Sequence, residues 1–377
     1  MHSATNTDLS NALARAARSA SDSYTFAHLL RLSDDGGIFE HALGTTPRLE
    51  HGYCTDDNAR LLVVTSREDS NNDALALSEL AMQFVIAAQD DHGLMRNRLS
   101  SQRCWQDEPA SSDWWGRALW GLGTAAAHHP DPNVAANALS HFTLSAQVQS
   151  VEVRAQAFAA LGAYEVLAVE PTHGLAQRVL KSFPSFLGPL VSADWRWPER
   201  TLRYANGSLA EALLVNGAFF SNDVSTRKAF AMLEWLVETE TSTTSSLSTQ
   251  SWKRNISVTG TTGRNASQRA PQFDQQSIEV AAIADACFRA FSMTAEPRWR
   301  DAVELCGQWF VGRNDAGVPM FDIRSGGGYD GLHHNRVNKN QGAESTLAYL
   351  STMQRLRQIN NAPTTPRDNV HTSPIRN

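Results

Sequence analysis

Apolar residues recur at helical spacing along most of this chain, and polar stretches punctuate them. The pattern predicts helices near residues 7–22, 55–68, 72–91, 112–129, 131–147 and 150–168. It continues with helices near 172–190, 206–220, 225–240, 274–294, 297–314 and 340–359. Each run opens near Ser, Thr, Asp, Asn or Pro, the residues that begin helices, and Ala, Leu, Glu and Arg dominate the interiors. Alternating strand patterns are confined to short pieces such as "GVPMFDIR" at 317–324. The expected class is all-α.

The spacing also predicts an architecture. Short connections alternate with long loops at 90–113, 192–208, 241–274 and 314–341, which are rich in Trp, Gly, Pro and charge. Paired helices with long loops between certain pairs suit an (α/α)6 toroid, a ring of six inner helices inside six outer ones with a cleft at one end. No repeat of fixed period points to a solenoid instead. Residues 1–24 read as an N-terminal helical extension, 25–360 as a single barrel domain and 361–377 as a disordered tail. The Ser/Thr/Gly/Asn-rich stretch 241–270 reads as mobile.

Composition narrows the function. The 377 residues carry a formal net charge of -6, and no Lys/Arg cluster stands out, which argues against nucleic-acid binding. No apolar run has the length of a membrane span. The N-terminus lacks a signal-peptide pattern, and the four scattered cysteines suggest neither disulfides nor a zinc finger, so the cytoplasm is the default compartment.

Several loop–helix junctions concentrate chemistry. "HGYCTDDNARLL" (51–62) places His51, Tyr53, Asp56, Asp57, Asn58 and Arg60 at a helix start. As structure alone, Thr55 would cap the helix, the acids would meet its positive end and Arg60 would pair back with them. As chemistry, the pair divides its labour, with Asp56 holding the helix start and Asp57 facing a cleft. "SDWWGRALWGLG" offers Asp113, Trp114, Trp115 and Arg117, with glycines at 116, 121 and 123 that suit close backbone approach. "DWRWPERTLRYANGS" offers Trp195, Trp197, Glu199, Tyr204 and Asn206. "FDQQSIEV" offers Asp274 as a helix cap, Gln275, Gln276 and Glu279. "GGGYDGLHHNRVNKNQGAE" offers Tyr329, Asp330, His333, His334, Asn338, Asn340, Gln341 and Glu344 ahead of the last helix. Carboxylates, amides, arginines and aromatic faces together are what a sugar site uses, for hydroxyls and for ring faces.

These five motifs, in this order between residues 25 and 355, resemble a bacterial family of all-α proteins found alone or fused behind glycosyltransferase domains. The resemblance implies an (α/α)6 barrel related to six-hairpin glycosidases, an oligosaccharide or glycoside substrate, and a functional link to a glycosyltransferase. Trp114–Trp115 stand where relatives tend to carry a small polar pair. The leading expectation is a glycoside hydrolase without cofactor or metal. It would draw on Asp57, Glu344, Asp56, Asp330, Glu199 or Glu279, with Asp57 as base or nucleophile and Glu344 as general acid. The alternatives are a sugar epimerase or isomerase using His51, His333 or His334, and a non-catalytic glycan-binding module. A metal-dependent cyclase is disfavoured, because Arg60 stands where a third acid of a D-D-x-x-D set would fall.

Overall fold

The computed structural model describes residues 6–68, 71–242, 254–268 and 271–362. Its helices are α1 (Asn6–Ser23), α2 (Ala27–Arg31), α3 (Thr55–Ser66), α4 (Asn72–Ala88), α5 (Asp113–His128), α6 (Pro132–Ser145) and α7 (Val153–Val169). They continue as α8 (Gly174–Ser182), α9 (Asn206–Phe219), α10 (Asp223–Thr239), α11 (Ser277–Thr294), α12 (Pro297–Phe310) and α13 (Ala343–Asn361). The described strands are two-residue antiparallel pairs in the loops. The "GVPMFDIR" segment forms an isolated bridge between Phe321 and Gly328, not a strand.

Six helices close a ring: α3 packs on α5, α5 on α7, α7 on α9, α9 on α11, α11 on α13, and α13 back on α3. An outer helix covers each one: α4 on α3, α6 on α5, α8 on α7, α10 on α9 and α12 on α11. The sixth outer place, against α12 and α13, is filled by α1, the helix read from sequence as an extension ahead of the barrel. An inner helix touches neighbours on both flanks and behind, so it is apolar nearly all round. In α9 every residue from Asn206 to Gly217 is buried.

The ring is tight because glycines let backbones touch. A Cβ at Gly162 of α7 would lie 2.1 Å from the Leu119 carbonyl oxygen of α5, and one at Gly123 of α5 would lie 2.2 Å from the Gly162 carbonyl oxygen. The core between the rings holds the indoles of Trp115, Trp299 and Trp309. Among the described residues no helix is long and apolar enough to cross a membrane. The tail at 363–377 and much of the stretch expected to be mobile, residues 243–253 and 269–270, lie outside the described residues.

Candidate functional site

The inner helices all begin at one mouth of the ring, and their starts differ chemically from the outer ones. Outer helices α4, α6, α8 and α10 carry a local side-chain cap, from Asn71, Asp131, His173 and Asn222. At α3, α5, α7, α9, α11 and α13 the residue at the cap position makes no side-chain cap bond. At three of these starts, those of α3, α9 and α13, distant side chains accept the N–H groups instead. Asn97 Oδ1 accepts the Thr55 N–H at 3.1 Å, Asp330 Oδ1 accepts the Gly342 N–H at 2.8 Å, and the Glu279 carboxylate accepts the N–H groups of Ala205 and Asn206. Thr55 is therefore not the cap expected of it, since its hydroxyl donates to the Arg96 carbonyl at 2.6 Å. Nor is Asp274, which pairs with His333 while Gln276 takes the cap position. Six converging helix N-termini make this mouth a place where negative charge is favoured.

A cleft of two lobes, about 550 and 650 Å³, opens there. Both lobes share Asp56, Arg60, Thr261, Gln276 and Glu344. Arg60 bridges two acids, meeting Asp57 at 2.7 Å and Glu344 at 2.9 Å. Arg117 meets Asp56 at 3.1 Å. Burial raises the Asp56 carboxyl, with Arg117 and Arg60 opposing the rise and the nearby Asp113 and Glu344 adding to it. Burial pushes Asp57 to about 7, against the pull of Arg60.

The sequence reading had Asp57 facing the cleft and Asp56 holding the helix start; both line the first lobe, and Asp56 alone extends into the second. Asp56 is the one that reaches both lobes, with its side chain 22% exposed. Asp57 lies beneath, its side chain 4% exposed, one oxygen on Arg60 and the other accepting the Cys54 thiol at 3.1 Å.

The first lobe adds Glu40, His41, Arg48, His51, Asp274, Asp330, His333, Asn338 and Asn340. His51 and His41 share a hydrogen bond at 3.0 Å between their Nδ1 atoms. Asp330 is held by Ser345 Oγ at 2.7 Å as well as by Gly342. Glu40, Cys54 and Asp57 each offer a ligand atom within 4.8 Å of the others, close enough to hold a divalent ion. Zinc ligation would need the Cys54 thiolate. Burial and the neighbouring carboxylates push that thiol well up, and Arg98 and Arg60 already engage the two acids. The second lobe adds Asp113, Arg117, Thr201, Arg203, Tyr204, Ile278, Glu279 and residues 259, 260, 262 and 263.

No family model and no curated protein matches the sequence. Solved structures do. A cellobiose 2-epimerase from Bacillus thermoamylovorans superposes with a TM-score of 0.68 at 11% identity, covering 93% of this chain and 100% of that one. A cellobiose 2-epimerase from Spirochaeta thermophila gives 0.65 at 12% identity, with 94% and 99% covered. A GH76 α-mannanase from Bacteroides thetaiotaomicron gives 0.55 at 10% identity, with 93% and 96% covered. The shared feature is the fold. This chain is an (α/α)6 toroid.

Within the toroid, several expected site residues turn out to be framework. Trp115 is buried, its Nε1 donating to the Ser145 carbonyl at 3.3 Å, and Trp114 donates to the Met95 carbonyl at 2.7 Å. Trp195 and Trp197 pack on Trp235 in the core. Tyr53 is buried against Phe39 and donates to Asp34 at 2.7 Å. Asn58 ties the Ile38 N–H to the Cys54 carbonyl. Gln275 donates to Asp315 at 2.7 Å, and Gln341 accepts from Ser325 at 2.6 Å. Glu199 clamps Arg154 through two contacts of 2.8 Å, and Asn206 joins Arg154 to Glu279. His334 sits edge-on to Phe273, and Tyr329 lines a separate groove beside α1. Glu40, His41 and Arg48 were not singled out. They flank short hairpins with no helical period, although Arg48 falls just ahead of "HGYC".

The buried acids set an expected pH dependence of stability. Desolvation pushes Asp57, Glu240 and Glu279 each up to about 7. From roughly pH 4 to 7 the folded state keeps protons that the unfolded chain releases, so each group lowers stability as pH rises, by roughly 3–4 kcal/mol when uncoupled. Burial alone would also raise Glu165 and Asp285, but Arg289 beside the first and Arg67 and Arg355 beside the second outweigh it and hold both low. Their contribution is lost only as pH falls below the ordinary carboxylate range. Thermal midpoints should therefore peak near pH 5 and decline towards pH 8, and Glu240→Gln should shrink that decline. A midpoint that climbs steadily from pH 5 to 8 would contradict this account.

Proposed function

We propose that the chain is a carbohydrate-active enzyme that hydrolyses a glycosidic bond in this cleft. One observation carries the reading: Asp56 and Glu344 are the two carboxylates common to both lobes, and each has its own arginine. Asp56, raised by burial, is suited to hold a proton and give it to the glycosidic oxygen. The carbon–oxygen bond then breaks with its electron pair going to that oxygen. Glu344, paired with Arg60, is suited to the opposite role. As base it takes a proton from the water whose oxygen joins the anomeric carbon, and as nucleophile it bonds to that carbon first. This exchanges the roles expected from sequence, where Glu344 was the acid and Asp57 its partner. The occurrence of glycoside hydrolases on the same toroid supports the reading, as does the resemblance of the sequence motifs.

A second reading rests on the histidines. His333 is hydrogen-bonded through Nδ1 to Asp274, and His41 pairs with His51, all in the first lobe. A histidine oriented by a carboxylate is a good base for proton abstraction next to a carbonyl. A cellobiose 2-epimerase and a D-mannose isomerase share the fold.

One experiment separates the two. Incubation with gluco- and manno-oligosaccharides in heavy water should release new reducing ends without carbon-bound deuterium. Deuterium fixed in the sugar without chain cleavage would replace the hydrolase reading with the second.

A further inference from the structure

The two lobes are built differently, and the difference gives the cleft a direction. We propose that the first lobe receives the sugar whose anomeric carbon reacts, and that the second receives the leaving sugar, stacked on Tyr204, which sets the preference for the leaving side. This inference rests on the hydrolase reading.

Three observations support the direction. The first lobe is lined by short polar side chains, such as Asn338, Asn340 and Asp330. Among the described residues lining the two lobes, Tyr204 supplies the one Phe, Tyr or Trp ring, and it stands in the second. Flat apolar rings suit the faces of sugars, whereas dispersed acceptors and donors read hydroxyl patterns. The proton donor also leans to the second lobe. Arg117, the partner of Asp56, lines that lobe and not the first. A general acid belongs on the leaving-group side, where the departing oxygen needs its proton.

Tyr204 is fixed as a platform has to be. Its hydroxyl donates to Asp113 at 2.6 Å, and the Arg154 guanidinium stands over its ring at 4.7 Å. Arg154 is itself locked by Glu199 and donates to the Tyr204 carbonyl at 2.6 Å. With the hydroxyl and one face thus occupied, the residue still leaves 39% of its surface exposed. Each lobe alone has the volume of a whole small-molecule pocket, so a chain with sugars on both sides of the reacting bond fits the pair.

The test compares leaving groups. Gluco- and manno-oligosaccharides of two to six units offer a sugar to the second lobe, whereas the glycosyl fluorides of glucose and mannose offer only fluoride. Tyr204→Ala should lower kcat/KM on a cleaved oligosaccharide by ~10-fold or more, mostly through KM, and lower fluoride hydrolysis by less than about threefold. Tyr204→Phe keeps the ring and loses the bond to Asp113, so it should retain most of the oligosaccharide activity. Equal losses on both substrates in Tyr204→Ala would mean a general structural role and overturn the proposal. So would no loss on either, with the hydrolase reading left standing. If the unsubstituted protein cleaves none of these compounds, the hydrolase reading fails first and takes this inference with it.

Discussion

Asp56→Asn and Glu344→Gln should each remove nearly all hydrolytic turnover, by roughly 10²–10⁴-fold in kcat, while the protein still melts close to the parent temperature. The two losses should differ in kind. Asp56→Asn removes the proton needed by a poor leaving group, so glycosyl fluorides should lose far less rate than oligosaccharides. Glu344→Gln removes the base or nucleophile and should slow both. Asp57→Asn is the informative companion. Its oxygens are taken by Arg60 and by the Cys54 thiol, so it should act through the placing of Arg60 and cost less than either. Kinetics on the three variants, beside thermal melts, check the assignment. Parental rates in both Asp56→Asn and Glu344→Gln would end it.

The largest effect on folding should come from Gly162→Ala. The added methyl would sit 2.1 Å from the Leu119 carbonyl oxygen, which is backbone and cannot rotate away. Overpacking in a well-filled interior costs about 1–3 kcal/mol and more where nothing can yield. Here α7 cannot retreat from α5 without opening a ring that α9, α11, α13 and α3 complete. We expect a lowering of the thermal midpoint by several degrees or loss of soluble protein. Gly174→Ala, at the start of α8 where an added Cβ meets nothing within 4 Å, is the control and should be neutral or slightly stabilising. Similar melting of the two variants would show that the inner ring is looser than its backbone contacts imply.

The all-α class was legible in the sequence because each run carries its own period, and the outer helices carry their own caps at Asn71, Asp131 and Asn222, whereas the toroid was legible through the alternation of short and long connections together with the resemblance of the motifs. The starts of the inner helices misled for a physical reason. At α3, α9 and α13 their N–H groups are met by residues 12 to 74 positions away, such as Asn97 for Thr55, and no local motif encodes that. The adjacent acids of α3 were hard to assign because successive residues on a helix point about 100° apart. Both line the first lobe, and which of them also reaches the second depends on how α3 is rotated in the ring. The tryptophans were over-read as sugar platforms. Trp195 and Trp197 sit in a loop by sequence, yet the loop folds back and buries both against Trp235 of an outer helix. Glu40 and His41 offered no signal beyond two polar side chains in a glycine-rich stretch, and only the folded hairpins carry them to the mouth.

The place of α1 has a consequence for how the molecule comes into being. Of the helices of the ring, a ribosome makes α1 first, but the surface that receives it belongs to α12 and α13, the last of the ring to be made. At translation speeds of about 5–20 residues per second, α1 waits on the order of tens of seconds with Ala17 and Ser21, both buried in the finished ring, still open to water. Arrival of α13 supplies the missing neighbour of α3, α11 and α1 together. Without α13 the contacts that join α11 to α3 through it do not exist, so closure of the circle must wait for the end of this stretch of chain.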